Sequence, residues 1–133
     1  MEIESLGARG DGIAQTEAGE AFVPLTLPGE RVATRLAGAR GTLETVLRAS
    51  PDRAMPPCRH FGDCGGCALQ HAAPGFYRAW KRDLVVSALA RAGLREAPVG
   101  DMIEAPAASR RRATFAVVRA GEGATLGFNA RAE

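Results

Sequence analysis

Short apolar runs separated by glycine-containing turns dominate the first fifty residues. Apolar and polar residues alternate within several runs, which is the pattern of a strand with one buried face. The turns lie at Ala8–Gly12, Glu17–Gly19 and Leu27–Gly29. The predicted strands are Glu2–Leu6, Gly12–Gln15, Glu20–Pro24, Glu30–Ala37 and Gly41–Ala49. Five short strands at this spacing predict a small closed barrel of the OB type, a fold that often binds single-stranded nucleic acid.

The fourth predicted strand separates its arginines from its apolar residues. Its apolar face consists of Val32, Thr34 and Leu36. Arg31 and Arg35 lie on the opposite face, so a filled barrel interior would leave both outside. Arg40 and Arg48 continue the basic character into the next strand. Each of these four arginines is a candidate RNA phosphate contact, and each is equally well explained as a solubilising residue.

The three cysteines of the chain all lie within the ten residues 58–67. Five residues separate Cys58 from Cys64 and two separate Cys64 from Cys67, a spacing typical of thiolates that share a metal centre. Gly65 and Gly66 give the intervening backbone unusual freedom. Buried unligated thiols explain three such clustered cysteines less well. A disulfide is weaker still, because three is an odd number and nothing suggests export.

The fourth ligand decides which metal this segment would bind. Iron–sulfur clusters prefer a fourth cysteine, which the sequence lacks. Zinc accepts histidine, and His71 follows Cys67 at a spacing that suits a Cys3His site. His60 is a weaker zinc candidate and is better explained as a solvent-facing loop residue. The residues alone therefore leave open both an iron–sulfur site and a structural zinc-binding adaptor.

Beyond the cysteines the pattern predicts one helix and one hairpin. An apolar stripe over 74–92 predicts the helix. Lys81 lies with the basic residues off the stripe and is a candidate RNA contact. Alternation followed by a glycine-containing turn predicts the hairpin over 110–129, with a first strand that starts at Arg110. The densest positive charge is at that start, in Arg110, Arg111 and Arg112. These guanidinium groups could bind RNA phosphates or flank a domain interface.

Length and charge add modest constraints. The 133 residues fit one ordinary domain or two small ones. The net charge is only +2, but it is unevenly distributed. Up to Pro57 there are six basic and eight acidic residues, whereas residues 58–120 include ten basic and five acidic residues. This asymmetry favours a polyanionic partner, although a solvated basic face also explains it. Without a membrane-spanning run or a signal peptide, the expected location is the cytoplasm, with no membrane partner.

Several short motifs occur along the chain in a characteristic order. They are Gly10-Asp11-Gly12-Ile13-Ala14, Phe22-Val23-Pro24, Leu27-Pro28-Gly29-Glu30, Ser50-Pro51-Asp52-Arg53, the cysteine segment running into Gln70-His71, Arg91-Ala92-Gly93-Leu94, Ser109-Arg110-Arg111-Arg112 and Leu126-Gly127-Phe128. Together they resemble the front part of the bacterial RNA uracil-5 methyltransferases. The most similar group is the 23S rRNA (uracil-5-)-methyltransferase that carries an iron–sulfur cluster. The cysteine segment is the specific part of this resemblance.

The resemblance implies a domain order and a cofactor. Residues 1–56 would form a TRAM domain, an OB-like barrel that binds RNA, and 57–73 an iron–sulfur motif. Residues 74–133 would be part of an incomplete α/β central domain. Cys58, Cys64 and Cys67 match three of the four thiolate ligands of a 4Fe-4S cluster. His71 matches a family residue unrelated to zinc, which favours iron–sulfur.

The resemblance also implies chemistry that these residues do not supply. Family members continue into a domain that binds S-adenosylmethionine, in which a cysteine adds to C6 of a uracil so that C5 accepts the methyl group. We therefore expect a non-catalytic piece of a longer enzyme that holds rRNA near an unpaired uracil. A fourth cluster cysteine is expected soon after Glu133, so the site in this chain would be vacant or hold zinc. The uncovered hairpin edge is expected to self-associate.

Overall fold

The structure, a computed structural model, describes residues 1–106 and 109–131. Its elements in chain order are β1 (Ser5–Leu6), β2 (Gly12–Thr16), β3 (Gly19–Val23), β4 (Arg31–Ala37), β5 (Arg40–Arg48), α1 (Pro74–Arg91), β6 (Ala116–Ala120) and β7 (Gly123–Gly127). Within the described ranges the chain is mainly β with a single helix, which confirms the predicted fold class.

Strands β1 to β5 form one mixed sheet that closes on itself. Their order is β1-β2-β3-β5-β4, with antiparallel pairs except for a parallel contact between β3 and β5. The residues before β1 join the two edges, because Ile3 N–H donates to the Glu30 carbonyl (2.9 Å) and Val32 N–H to the Met1 carbonyl (2.9 Å). This closure gives the barrel-like domain that the strand pattern predicted.

The barrel interior is small and tightly filled. Ile3, Ala14, Val23 and Val32 form its buried cluster. Gly12 lies against this cluster so closely that a Cβ there would collide with the Thr26 hydroxyl. The predicted interior position of Leu36 is wrong, since 42% of that residue is exposed. Strand β4 shifts register twice before it reaches Leu36, and its far end extends past the filled interior.

A second apolar cluster attaches the helix to the barrel. Leu27, Leu69 and Ala72 are buried, and aromatic side chains from the first half of α1 pack against them. The helix starts at Pro74, as predicted, and ends at Arg91, one residue before the predicted end. Gly93, with φ +85°, takes the left-handed conformation that suits a helix stop. No helix in the described part of the chain has the length and apolar character needed to span a lipid bilayer.

The hairpin is shorter than predicted. Strand β6 starts at Ala116, which pairs with Gly127 at the end of β7, so the predicted strand start at Arg110 is wrong. Beyond Gly127 the chain leaves the hairpin and pairs with the cysteine loop through Asn129. Residues 110–115 consequently have no strand opposite them among the described residues, and the alternation of their sequence does not produce a strand.

Candidate functional site

Hydrogen bonds between two short segments close the base of the cysteine loop. Ala54 N–H donates to the His71 carbonyl (2.8 Å), and Ala73 N–H donates to the Asp52 carbonyl (2.7 Å). We use "cysteine loop" for the residues between these segments, 55–70. The two ends of the loop meet beside the start of α1, so its base is fixed against the barrel and the helix.

Within the loop, turns place the three cysteines on a partly exposed surface. Phe61 N–H donates to the Cys58 carbonyl (3.0 Å), and Cys64 N–H donates to the His60 carbonyl (2.9 Å). Gly66 N–H donates to Cys64 Sγ (3.3 Å). All three cysteines are free thiols of intermediate exposure. The loop thus offers accessible sulfur ligands with one backbone donor already directed at sulfur.

The three sulfurs do not converge on one point. Across residues 1–106 and 109–131, no three His, Cys, Asp or Glu side chains form a group that could hold a metal ion. Thiol groups suit both an iron–sulfur cluster and zinc. The positions of Cys58, Cys64 and Cys67 in this structure suit neither. Metal binding would require the loop to rearrange, which its glycines permit. The predicted ligand set therefore stays a prediction.

The residues that follow the hairpin lie against the cysteine loop. Gly65 N–H donates to the Asn129 carbonyl (3.0 Å), and Arg131 N–H donates to the Asp63 carbonyl (2.8 Å). The Arg131 guanidinium also donates to the carbonyl of Cys67. A Cβ at position 65 would lie 3.2 Å from the carbonyl oxygens of Asn129 and Ala130, so glycine allows this close approach. The sequence reasoning did not predict these contacts.

His71 is fully buried and makes no side-chain hydrogen bond. Its ring centroid lies 5.4 Å from that of Phe61, and neither ring nitrogen has a partner among the described residues. Burial, with the positive charge of Arg53, lowers the pKa of His71 to about 4. The same charge disfavours a zinc ion at this ring. By contrast His60 is exposed and accepts a bond from Arg59 Nε (3.1 Å).

A buried ion pair connects the barrel to the base of the cysteine loop. The Glu30 carboxylate is fully buried and accepts bonds from Arg53 Nη2 (2.8 Å), Leu27 N–H (2.9 Å) and Ser50 N–H (3.3 Å). Burial alone would raise the pKa of Glu30, but these donors together lower it below its ordinary value. Arg53 also donates to the Leu25 carbonyl (2.8 Å). The sequence reasoning missed this pair.

The four barrel arginines predicted to contact RNA are all exposed but do not form one patch. Arg31 and Arg48 are cross-strand neighbours, and Arg48 pairs with Glu2 (3.1 Å). Arg35 pairs with Glu44 (3.1 Å), and Arg40 pairs with Asp11 (2.9 Å). Arg40 and Arg48 lie at opposite ends of β5, about 27 Å apart by strand rise. Three of the four guanidinium groups thus have carboxylate partners within the protein.

The remaining predicted RNA contacts lie on other elements. Lys81 Nζ lies over the aromatic rings of α1, 5.2 Å from the Trp80 centroid and 5.7 Å from the Tyr77 centroid. Arg110, Arg111 and Arg112 line an open depression of about 520 Å³ before the hairpin. The predicted RNA-binding residues are therefore distributed over the barrel, the helix and the segment before β6.

A groove on the outer wall of the barrel was not predicted. It has a volume of about 290 Å³. Its lining residues are Gly7, Ala8, Arg9, Asp11, Phe22 and Arg40. The signal that could have found it is the alternation of β3, in which Phe22 lies between two buried residues and so faces outward.

Sequence comparison identifies RNA methyltransferases as relatives. No family model matches the chain. An uncharacterized RNA methyltransferase of Rhizobium meliloti is 50% identical over 135 residues, covering 97% of this chain and 32% of that protein. One from Caulobacter vibrioides is 49% identical, covering 98% and 32%.

A relative with a named substrate is more distant. The 23S rRNA (uracil(1939)-C(5))-methyltransferase RlmD of Halomonas elongata is 39% identical over 140 residues, covering 98% of this chain and 29% of that protein. The chain thus spans about a third of the length of the relatives that it matches. Over that third the chain is similar to proteins named RNA methyltransferases, one of them a 23S rRNA (uracil-C5)-methyltransferase, which confirms the resemblance that its motifs predicted.

Proposed function

We propose that the chain is the RNA-binding and substrate-positioning part of an RNA uracil-C5 methyltransferase that acts on 23S rRNA. The observation that carries this proposal is the identity to RNA methyltransferases along a region that contains a closed barrel and the cysteine loop. The substrate class is taken from the name of the Halomonas relative. S-adenosylmethionine would supply the methyl group in a longer protein.

The proposed role is to hold the RNA while a uracil is unstacked. An enzyme that modifies a base must take it out of the stack, which costs a few kcal/mol. Contacts made by a separate module can offset that cost and fix the position of the reacting base. The barrel, which we propose is a TRAM domain, offers exposed basic side chains on its outer wall. The arginines already paired with carboxylates would each contribute modestly.

A titration tests RNA binding by the chain. Anisotropy of a labelled single-stranded rRNA fragment is measured at about 50 and about 200 mM salt, the range over which phosphate contacts lose most of their affinity. We expect binding at low salt that weakens steeply at high salt. Replacing Arg31, which has no carboxylate within 4 Å among the described residues, by alanine should lower the slope of log affinity against log salt by about 1.

Arg95→Ala is the matched control for this titration, because Arg95 is exposed and lies outside the predicted RNA contacts. It removes one positive charge and should leave the slope near the wild-type value. Failure of the wild-type chain to bind RNA at low salt, or binding indifferent to salt, would refute the proposed function.

We further propose that Cys58, Cys64 and Cys67 supply three thiolates to a 4Fe-4S cluster. Two observations support this: the Gly66 N–H directed at Cys64 Sγ, and the segment 129–131 lying against the loop. The second observation shows that residues after the hairpin reach the cysteine loop. When bound, the cluster would add a covalent link between the loop and its neighbours.

Anaerobic purification with metal and sulfide analysis tests the cluster proposal. Iron with sulfide and a broad visible absorption, lost in Cys64→Ser, is the expected result for a longer protein that retains the chain. Stoichiometric zinc without iron or sulfide in that protein would instead support the structural zinc-binding adaptor, with His71 as the fourth ligand.

A further inference from the structure

We propose that Phe22, Arg9 and Arg40 form a subsite for one nucleotide of single-stranded RNA, in the groove on the outer wall of the barrel. This inference rests on the proposed RNA-binding function and specifies where part of that binding occurs. It adds two residues, Phe22 and Arg9, to the predicted RNA contacts.

Phe22 faces the outside of the barrel. In β3, Ala21 and Val23 are 1% and 0% exposed and face the barrel interior, so Phe22 between them faces outward. Its strand neighbours are Ile13 on one side and Arg40 on the other. The ring is only partly covered and contributes nothing to the buried barrel cluster. A partly exposed aromatic face beside a guanidinium group is suited to stacking a nucleobase.

Arg40 is held in place before any ligand binds. Its guanidinium contacts the Asp11 carboxylate at 2.9 Å, and only 17% of the Asp11 side chain is exposed, against 56% for Arg40. The turn that carries Asp11 is itself fixed by Gly7 N–H donating to the Asp11 carbonyl (2.8 Å). A guanidinium has five N–H donors, so several remain for a phosphate. Preorganisation lowers the entropic cost of binding.

The charge of the groove also favours RNA. Arg9 is exposed on the same turn, and no carboxylate among the described residues lies within 4 Å of it. Two guanidinium groups and one carboxylate give the groove a net positive charge, which suits a phosphodiester. The volume of about 290 Å³ is at the small end of ligand sites and suits one nucleotide. Base stacking and phosphate contact can therefore occur in one place.

Two oligonucleotides of equal length distinguish base stacking from phosphate contact. One is a single-stranded RNA and the other is its abasic ribose-phosphate counterpart, and the affinity of the full chain is measured for both. Phe22→Ala should bind the RNA roughly tenfold more weakly than the wild type and the abasic strand equally well. Phe22→Leu, which keeps apolar bulk but has no aromatic ring, should lose most of the preference for the RNA over the abasic strand. Phe22→Trp should retain that preference. Arg9→Ala should weaken both strands and lower the salt slope by about 1.

Arg95→Ala serves as the charge control, and circular dichroism checks that each variant is folded. If Phe22→Ala does not fold, Phe22→Leu and Phe22→Trp still give the comparison. Salt-dependent RNA binding by the wild type with no change in Phe22→Leu or Arg9→Ala would overturn the subsite and leave the proposed function intact. Equal affinity of the wild type for the RNA and the abasic strand would also overturn it. Absence of RNA binding at low salt would overturn both.

Discussion

Two fully buried ionisable side chains, Glu30 and His71, are influenced by the charge of Arg53. Glu30 has donors from Arg53 and from two backbone N–H groups, whereas His71 has no side-chain partner among the described residues. The charge of Arg53 stabilises the carboxylate and opposes protonation of the imidazole. Since a buried polar group is costly when unpaired, replacing Glu30 should cost far more stability than replacing His71.

Glu30→Gln should destabilise the chain by about 3 kcal/mol near neutral pH, because it leaves the charge of Arg53 without its partner. The lowered pKa of Glu30 means that its contribution is present above the unfolded value of 4.5 and is lost as pH falls below it. Urea unfolding at several pH values should therefore show the difference from wild type shrinking below about pH 4.5. Glu44→Gln, in an exposed ion pair, should cost less than about 1 kcal/mol. Equal losses for the two variants would contradict this account.

His71→Leu should leave stability near neutral pH within about 1 kcal/mol of wild type, because the imidazole it removes has unpaired nitrogens. In the wild type, His71 becomes protonated near pH 6.5 in the unfolded chain, but only near pH 4 in the native chain. Stability should thus fall by about 2 kcal/mol between about pH 7.5 and about pH 5, as seen by urea unfolding.

The leucine variant should lose most of that pH dependence, and His60→Gln should keep it because His60 is exposed. A wild-type stability that does not change over this pH range would contradict the burial argument. Zinc that stabilises the wild type but not His71→Leu would instead identify His71 as a ligand.

At the scale of elements, the local sequence pattern was sufficient to predict those strands and helices whose formation depends mainly on their own residues. Glycine-marked turns and alternation predicted the five barrel strands, and the apolar stripe with Pro74 predicted α1 to within one residue. The start of β6 was wrong because a strand needs a partner, and the chain after Gly127 pairs with the cysteine loop instead. The bond between Glu30 and Arg53 spans 23 residues, so no local pattern indicates it.

Gly12→Ala should destabilise the barrel by about 2 kcal/mol or more, because the added Cβ collides with the Thr26 hydroxyl and lies 2.8 Å from Ile3 Cγ2. Thermal unfolding of the two variants Gly12→Ala and Gly75→Ala provides a matched comparison. Gly75 lies in the first turn of α1 with nothing within 4 Å of an added Cβ, so alanine there should stabilise slightly. A Gly12→Ala variant as stable as wild type would contradict the tight packing described for β2.

The hairpin should promote weak self-association. Val117 and Leu126 are cross-strand partners that are 66% and 64% exposed. Beside them Phe115 packs against Phe128, with ring centroids 5.0 Å apart. A two-stranded sheet with an apolar face and unpaired edges tends to pair with another chain. Sedimentation velocity over a range of concentrations should show association that Leu126→Lys reduces and that Thr125→Lys, on the opposite face, affects less. A monomer at every concentration would contradict the prediction.

At the scale of the whole molecule, the distribution of charge along the sequence does not indicate the proposed RNA subsite. The second half is the more basic, yet the groove that combines an aromatic ring with preorganised arginine lies on the barrel, in the more acidic half. The barrel has a low net charge because Glu2, Asp11 and Glu44 offset its arginines. The same carboxylates form ion pairs that hold three of those arginines in position. The backbone bonds at the base of the cysteine loop then join barrel, loop and helix.

The central claim is that the barrel binds RNA, and photo-crosslinking tests it most directly. A single-stranded RNA carrying 4-thiouridine is irradiated with the chain at low salt, and the crosslinked peptides are identified by mass spectrometry. We predict crosslinks in the barrel strands and the turn before β2, with the strongest at or beside Phe22. Crosslinks confined to α1 and the hairpin, or none at a concentration that saturates binding, would contradict the account.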